Sequence, residues 1–177
     1  TIAPIQRVLA AARSLGMVVI HTREGHQPDL HDCPPTKLDR WPVGTRIGDL
    51  GPMGRILVRG EAGHDIIDEV YPLPLEYLLD KPGKNAFYGT ELERILQSHD
   101  ITHLLITGVT TDVCCFATTI AANDRGYHAV VLADCVASYS PERHDAALTI
   151  IQAQGGIFGY VAESAAVLRA LESVTLS

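Results

Sequence analysis

Hydrophobic and polar positions along this chain switch between two periods. Short apolar runs rich in β-branched residues occur at 17–22 (MVVIHT), 76–81 (EYLLDK), 103–109 (HLLITGV), 129–136 (AVVLADCV) and 156–161 (GIFGYV), and they read as strands. Between them, apolar residues recur with helical spacing and predict helices over 1–15, 89–98, 112–125, 141–154 and 162–173. In the third of these helices Val113, Ala117, Ile120 and Ala121 fall on one face. End signals support the assignment: Thr90 with Glu93 has the form of a capping box, Ser140-Pro141 that of a cap followed by a first-turn proline, and Gly126 and Gly155 stand where helices stop. Alternating strands and helices predict an α/β fold with a mostly parallel sheet, formed by one domain over 1–177.

Two stretches depart from this rhythm. Residues 27–63 are rich in Pro, Gly and charge without sustained periodicity, which predicts a long surface loop, of the kind that often lies beside an active site. The chain also opens on a helix with no strand before it, whereas a parallel sheet is built from strand, helix and strand in right-handed crossovers. The expectation is an amino-terminally incomplete sequence, whose first strand precedes Thr1.

Composition then narrows the function classes. With 177 residues, 46% hydrophobic and 20% charged, the chain is long enough for one substantial core. The net charge of −7 is spread out, and no basic stripe tracks a phosphate backbone, so nucleic acid is not an expected partner. No apolar run approaches membrane-spanning length and the first residues lack the features of a signal peptide, which predicts a cytoplasmic protein without membrane partners. Cys33, Cys114, Cys115 and Cys135 do not form a disulfide framework, since two of them are neighbours.

The chemistry-bearing stretch is TGVTTDVCCFATTIAANDRG, residues 107–126. Cys114 and Cys115 fall in the first turn of a helix that follows a strand, where free backbone N–H groups and the helix dipole favour a thiolate and a developing oxyanion. The plain alternative is that both are small packing residues.

The segments TGVTTDVCCFAT and DKPGKNAF resemble the active-site motifs of the isochorismatase-like cysteine hydrolases, a family that includes nicotinamidases, N-carbamoylsarcosine amidase, ureidoacrylate amidohydrolase and biuret hydrolase. RVLAA, HTREGH followed by PDL, GDLGPMGRIL, ANDRGY and QGGIFG, in this order, are most similar to the biuret-hydrolysing members. The resemblance covers nearly the whole chain. It implies a Rossmann-like three-layer α/β/α sandwich and a Cys-Lys-Asp triad, with Cys114 as nucleophile and Lys81 as the triad lysine, four residues before Asn85-Ala86-Phe87. It also implies an oxyanion hole from the backbone N–H groups of Thr110 and Cys114, a cis peptide between Val109 and Thr110, and Cys115 as a packing neighbour. The triad aspartate lies in a stretch at the end of the first strand that does not occur here, and Asp80, Asp112 and Asp134 stand in the wrong motif context to replace it.

The activity implied is hydrolysis of biuret to carboxyurea (allophanate) and ammonia, with triuret and ureidoacrylate as competing substrates. Gln154, in QGG, and Lys84 are the expected substrate-binding residues. A noncatalytic binding module of the same family is the rival of another class. No cofactor is expected. Nicotinamidases carry a metal after the second strand, but His26, Asp29, His31, Asp32 and Cys33 here fit no standard zinc spacing, so no metal is expected either. Arg23, Glu24 and His26 remain open as residues that face substrate or close the loop. The family further implies a homo-oligomer, as a tetramer.

Overall fold

The computed structural model describes residues 1–175. Helix α1 (Ile2–Ser14) leads into strand β1 (Ile20–Glu24), and a long excursion follows that contains helix α2 (Pro35–Leu38) and a small hairpin of β2 (Leu50–Gly51) and β3 (Gly54–Arg55). Strand β4 (Tyr77–Lys81), helix α3 (Leu92–Ser98) and strand β5 (His103–Val109) come next. A π-helical turn (Thr111–Cys115) runs directly into α4 (Phe116–Asn123). The chain then forms β6 (His128–Ala137), α5 (Pro141–Ile151), the irregular turn α6 (Ala153–Gly156), β7 (Tyr160–Ala162) and α7 (Ser164–Thr175).

Apart from the antiparallel β2–β3 hairpin, the strands form parallel sheets packed against helices. β1 pairs with β4, and β5, β6 and β7 form a second sheet in that order. Along β6 the side chains alternate as a strand buried on both faces requires. Ala129 and Val131 meet α3, α4 and α5 residues such as Leu96, Ala122 and Ile151, whereas Val130 and Leu132 meet Val8 of α1 and Val167 of α7. Both faces of this strand therefore read as apolar.

The one mostly parallel sheet expected from the sequence is divided. β1 and β5 are not paired with each other, and a cavity of about 550 Å³ lies between them, walled by Val8 and Ala12 of α1, Ile20 and Thr22 of β1, and Leu104 and Ile106 of β5.

Several local expectations shift. The last strand starts at Tyr160 instead of 156, because Gln154, Gly155 and Gly156 all have left-handed backbone (φ 53°, 79° and 94°) and turn the chain first. Ser140 caps α5 as expected, its Oγ accepting from the Arg143 N–H. The Thr90–Glu93 capping box does not form: Thr90 Oγ1 accepts from the Leu92 N–H and donates to the Ala86 carbonyl, and Glu93 pairs with Arg125. Among the described residues no helix is long and apolar enough to cross a membrane.

Candidate active site

The strands end together, and their carboxyl ends carry the site, which is where open parallel sheets leave a crevice for ligands. The parallel register makes Glu24 and Lys81, the last residues of β1 and β4, direct partners. The turn that leaves β5 supplies Cys114. These three side chains form a triangle. Lys81 Nζ is 3.5 Å from Cys114 Sγ, Lys81 Nζ is 3.5 Å from Glu24 Oε2, and the Cys114 thiol donates to Glu24 Oε2 at 3.5 Å. Lys81 Nζ also donates to the Gly83 carbonyl at 3.0 Å, which fixes the ammonium within its own loop.

The DKPGKNAF loop is held against the cysteine helix from both ends. Asn85 Oδ1 accepts from the N–H groups of Phe87 and Tyr88, an Asx turn that bends the chain, and the Ala86 N–H donates to Thr118 Oγ1, one turn after Cys114. Gly83 lets the Tyr88 ring lie close: a Cβ there would stand 2.6 Å from the ring, which would have to shift. From the other side, Lys37 of α2 donates to the Pro82 carbonyl at 2.7 Å and lies 3.2 Å from Nε2 of fully buried His26. The 27–63 excursion thus clasps the loop that carries Lys81, in line with its expected place beside the site.

Electrostatics separates the two thiols. Burial pushes the Cys114 thiol up from its ordinary value, Lys81 pulls it down, and Glu24 adds to the upward push. Cys115 is buried, lies 3.8 Å from the Thr107 carbonyl, and is pushed up to about 12, chiefly by burial, the surroundings of a packed thiol. For Glu24, burial pushes its acid up, but the hydrogen bond from Lys84 and the charges of Lys81 and Lys84 outweigh it and hold the group below its ordinary value.

The peptide between Val109 and Thr110 is cis. Among the described residues the Thr110 N–H has no backbone acceptor, and the Thr110 carbonyl accepts from Val113 and Cys115. The turn is further tied by Thr111 Oγ1 to His144 Nδ1 (2.9 Å) and by Ser138 Oγ donating to Asp112 (2.6 Å).

The structure therefore brings Lys81 and Cys114 together, on a turn that begins at Thr110. Lys84 is there too, but bound: its Nζ is 2.6 Å from Glu24 Oε1. Gln154 is exposed in the left-handed turn and makes no hydrogen bond to any of these groups among the described residues. Asp80 pairs with Arg23, Asp112 with Ser138 and Asp134 with Ser164, and none of the three hydrogen-bonds the thiol. Glu24 is the residue that sequence reading left undecided. The signal was the β1–β4 register, which sets two charged strand-end residues side by side. No group of three or more His, Cys, Asp or Glu among the described residues is arranged to hold a metal ion. His31 instead pairs with Asp29 at the surface, and His26 lies between Lys37 and Asp32.

Residues 1–165 match the isochorismatase domain family. The chain belongs to the isochorismatase family. Among curated relatives it is 30% identical over 167 residues to the ureidoacrylate amidohydrolase RutB of Serratia proteamaculans, covering 92% of this chain and 66% of that protein. It is 32% identical over 145 residues to RutB of Pantoea ananatis, covering 80% of this chain and 58% of that one. The chain thus spans less than two thirds of the length of these relatives. Among solved structures, a cysteine hydrolase from Pseudomonas syringae pv. phaseolicola superposes with a TM-score of 0.81 at 26% identity, over 97% of this chain and 80% of that one. N-carbamoylsarcosine amidase from Thermoplasma acidophilum superposes with a TM-score of 0.71 at 26% identity, over 92% and 82%. The isochorismatase-like three-layer fold expected from the motifs is the fold of this chain.

Proposed function

We propose that the protein is a cysteine amidohydrolase that cleaves a C–N bond of a small ureido or amide compound, with biuret as substrate and carboxyurea and ammonia as products. The observation that carries this reading is the Lys81 ammonium 3.5 Å from the Cys114 sulfur, on a turn whose Thr110 N–H has no backbone acceptor among the described residues. In it, Cys114 Sγ adds to the substrate carbonyl and the carbonyl oxygen gains the electron pair. The N–H groups of Thr110 and Cys114 receive that oxygen, and aimed donors of this kind are worth about 2.7 to 4 kcal/mol each. The proton released from the thiol is delivered to the leaving nitrogen as the adduct collapses, so ammonia departs and an acyl thioester remains, which water hydrolyses to the acid and the free thiol. Lys81 supports the charge that builds on sulfur. The family resemblance assigns the thiol proton to an aspartate, which none of Asp80, Asp112 and Asp134 replaces.

Biuret is small, planar and neutral. Lys84 already pairs with Glu24, and Arg23 pairs with Asp80 and Asp65, which supports an uncharged substrate over an acidic one. Gln154 and Lys84 are proposed as its polar contacts, donating to and accepting from the distal ureido end. Ureidoacrylate is the second reading, favoured by the names of the RutB relatives. Ammonia release measured over biuret, triuret, ureidoacrylate, N-carbamoylsarcosine and nicotinamide tests the assignment. Highest kcat/KM on biuret is expected. A marked preference for ureidoacrylate replaces biuret with the second reading, and no release from any of the five by a protein that carries the triad aspartate overturns the enzyme reading in favour of a binding module.

A further inference from the structure

The carboxylate of Glu24 has a larger share in this geometry than a strand-end ion pair needs. Its side chain is 8% exposed, and that of Lys81 is 4% exposed. A carboxylate removed from water needs compensation, and a single cation normally supplies it. Glu24 has two, one on each oxygen: Lys84 at 2.6 Å on Oε1 and Lys81 at 3.5 Å on Oε2, with the Cys114 thiol also donating to Oε2. One oxygen atom thus fixes both the cation and the nucleophile.

Resting on the nucleophilic reading of Cys114, we propose that Glu24 is a positioning residue that holds the Lys81 ammonium against the Cys114 sulfur and keeps the resting thiol protonated, with Lys84 setting how strongly its charge is felt. The two actions oppose each other at sulfur. Lys81 favours the thiolate and Glu24 disfavours it, while the hydrogen bond to Glu24 Oε2 sets the orientation of the thiol. Glu24 is a weak base here because Lys84 claims its other oxygen, so it orients the thiol without removing its proton. Lys84, 44% exposed, is the one partner at the solvent edge. His26 and Cys33 also feel the charge of Glu24, and neither hydrogen-bonds the Cys114 sulfur.

A purely structural pair and a positioning residue differ in sign. Glu24→Gln keeps the shape and removes the charge. It should lower kcat/KM by about 100-fold, as misplacement of a reacting group does, mostly in kcat. The same variant should alkylate faster at Cys114 with iodoacetamide at neutral pH, by about tenfold, because the charge that opposed ionisation is gone. The gain should appear as a shift of the alkylation pH profile to lower pH with the limiting rate at high pH unchanged, whereas loosened packing raises that limiting rate. Lys84→Met should act in the opposite sense on alkylation, slowing it, since Glu24 is then less compensated; this second variant carries the test if Glu24→Gln fails to fold. Glu24→Asp should recover part of the turnover. Parent-like kcat/KM and alkylation in Glu24→Gln, or unchanged alkylation in Lys84→Met, overturns the proposal. Cys114→Ala separates the two layers: if it still turns over, the nucleophile reading fails, and if it is dead while Glu24→Gln is parent-like, the role of Glu24 alone fails.

Discussion

Replacing Lys81 with Met removes the ammonium and keeps most of the stem. At 3.5 Å from sulfur, with an effective dielectric near 20, the attraction between a full thiolate and the ammonium is about 5 kcal/mol. The transition state for attack has moved part of that charge onto the substrate, where the Thr110 and Cys114 N–H groups share it. The expected loss in kcat/KM is therefore about 2 to 4 kcal/mol, or roughly 30- to 1000-fold. Stability should suffer less. Glu24 keeps Lys84 as partner, so no buried carboxylate is stranded and the cost stays near about 1 to 3 kcal/mol, with the Gly83 carbonyl losing its donor. Steady-state ammonia release with a thermal melt on the same preparation reads both, and iodoacetamide alkylation of Cys114 should slow at neutral pH. Turnover within about threefold of the parent, less than 1 kcal/mol of barrier, in a variant that melts normally would refute the role given to Lys81.

Further outcomes follow from the same geometry. Cys115→Ala should keep turnover and cost about 1 kcal/mol or less of stability, checked by kinetics and melting, because its thiol only packs near Thr107. Glu76 accepts from Arg13, the Leu73 N–H and His21, and chiefly the Arg13 hydrogen bond draws its acid down to about 2. Its contribution is present above the ordinary value of 4.5 and fades as pH falls towards 2, so Glu76→Gln should flatten the acid limb of a stability curve at a neutral-pH cost of about 1 to 2 kcal/mol. His26 and His64 are both held below their ordinary value of 6.5, first by burial. A histidine depressed in the folded state stabilises fully above 6.5 and loses that contribution as pH falls below it, so the melting temperature should drop between pH 7 and 5.5, with a shallower drop in His64→Asn.

Most of the fold could be read from periodicity because its strands are short apolar runs and its helices carry one apolar face. β6 is the clear case, with Ala129 and Val131 facing one helical layer and Val130 and Leu132 the other. The start of β7 could not be read, since three successive left-handed residues at 154–156 consume the chain that composition assigned to a strand. Within 27–63, α2 has four residues and the β2–β3 hairpin two per strand, too short for any period to show. At the site, Cys114 and Lys81 sit in local motifs and were legible as such. Glu24 was not, because its meaning comes from a partner 57 residues away across the β1–β4 ladder. Lys84 was read as a free donor, and the structure shows it already engaged by that same carboxylate.

The central claim is that Cys114 forms a covalent acyl intermediate, and rapid acid quench during turnover, followed by peptide mass mapping, tests it most directly. With biuret the account predicts an allophanyl adduct on the peptide containing Cys114, located on Cys114 by fragmentation, absent in Cys114→Ala and present in Cys115→Ala. Ammonia release by Cys114→Ala at the parent rate, or an adduct that maps to Cys115, would contradict it.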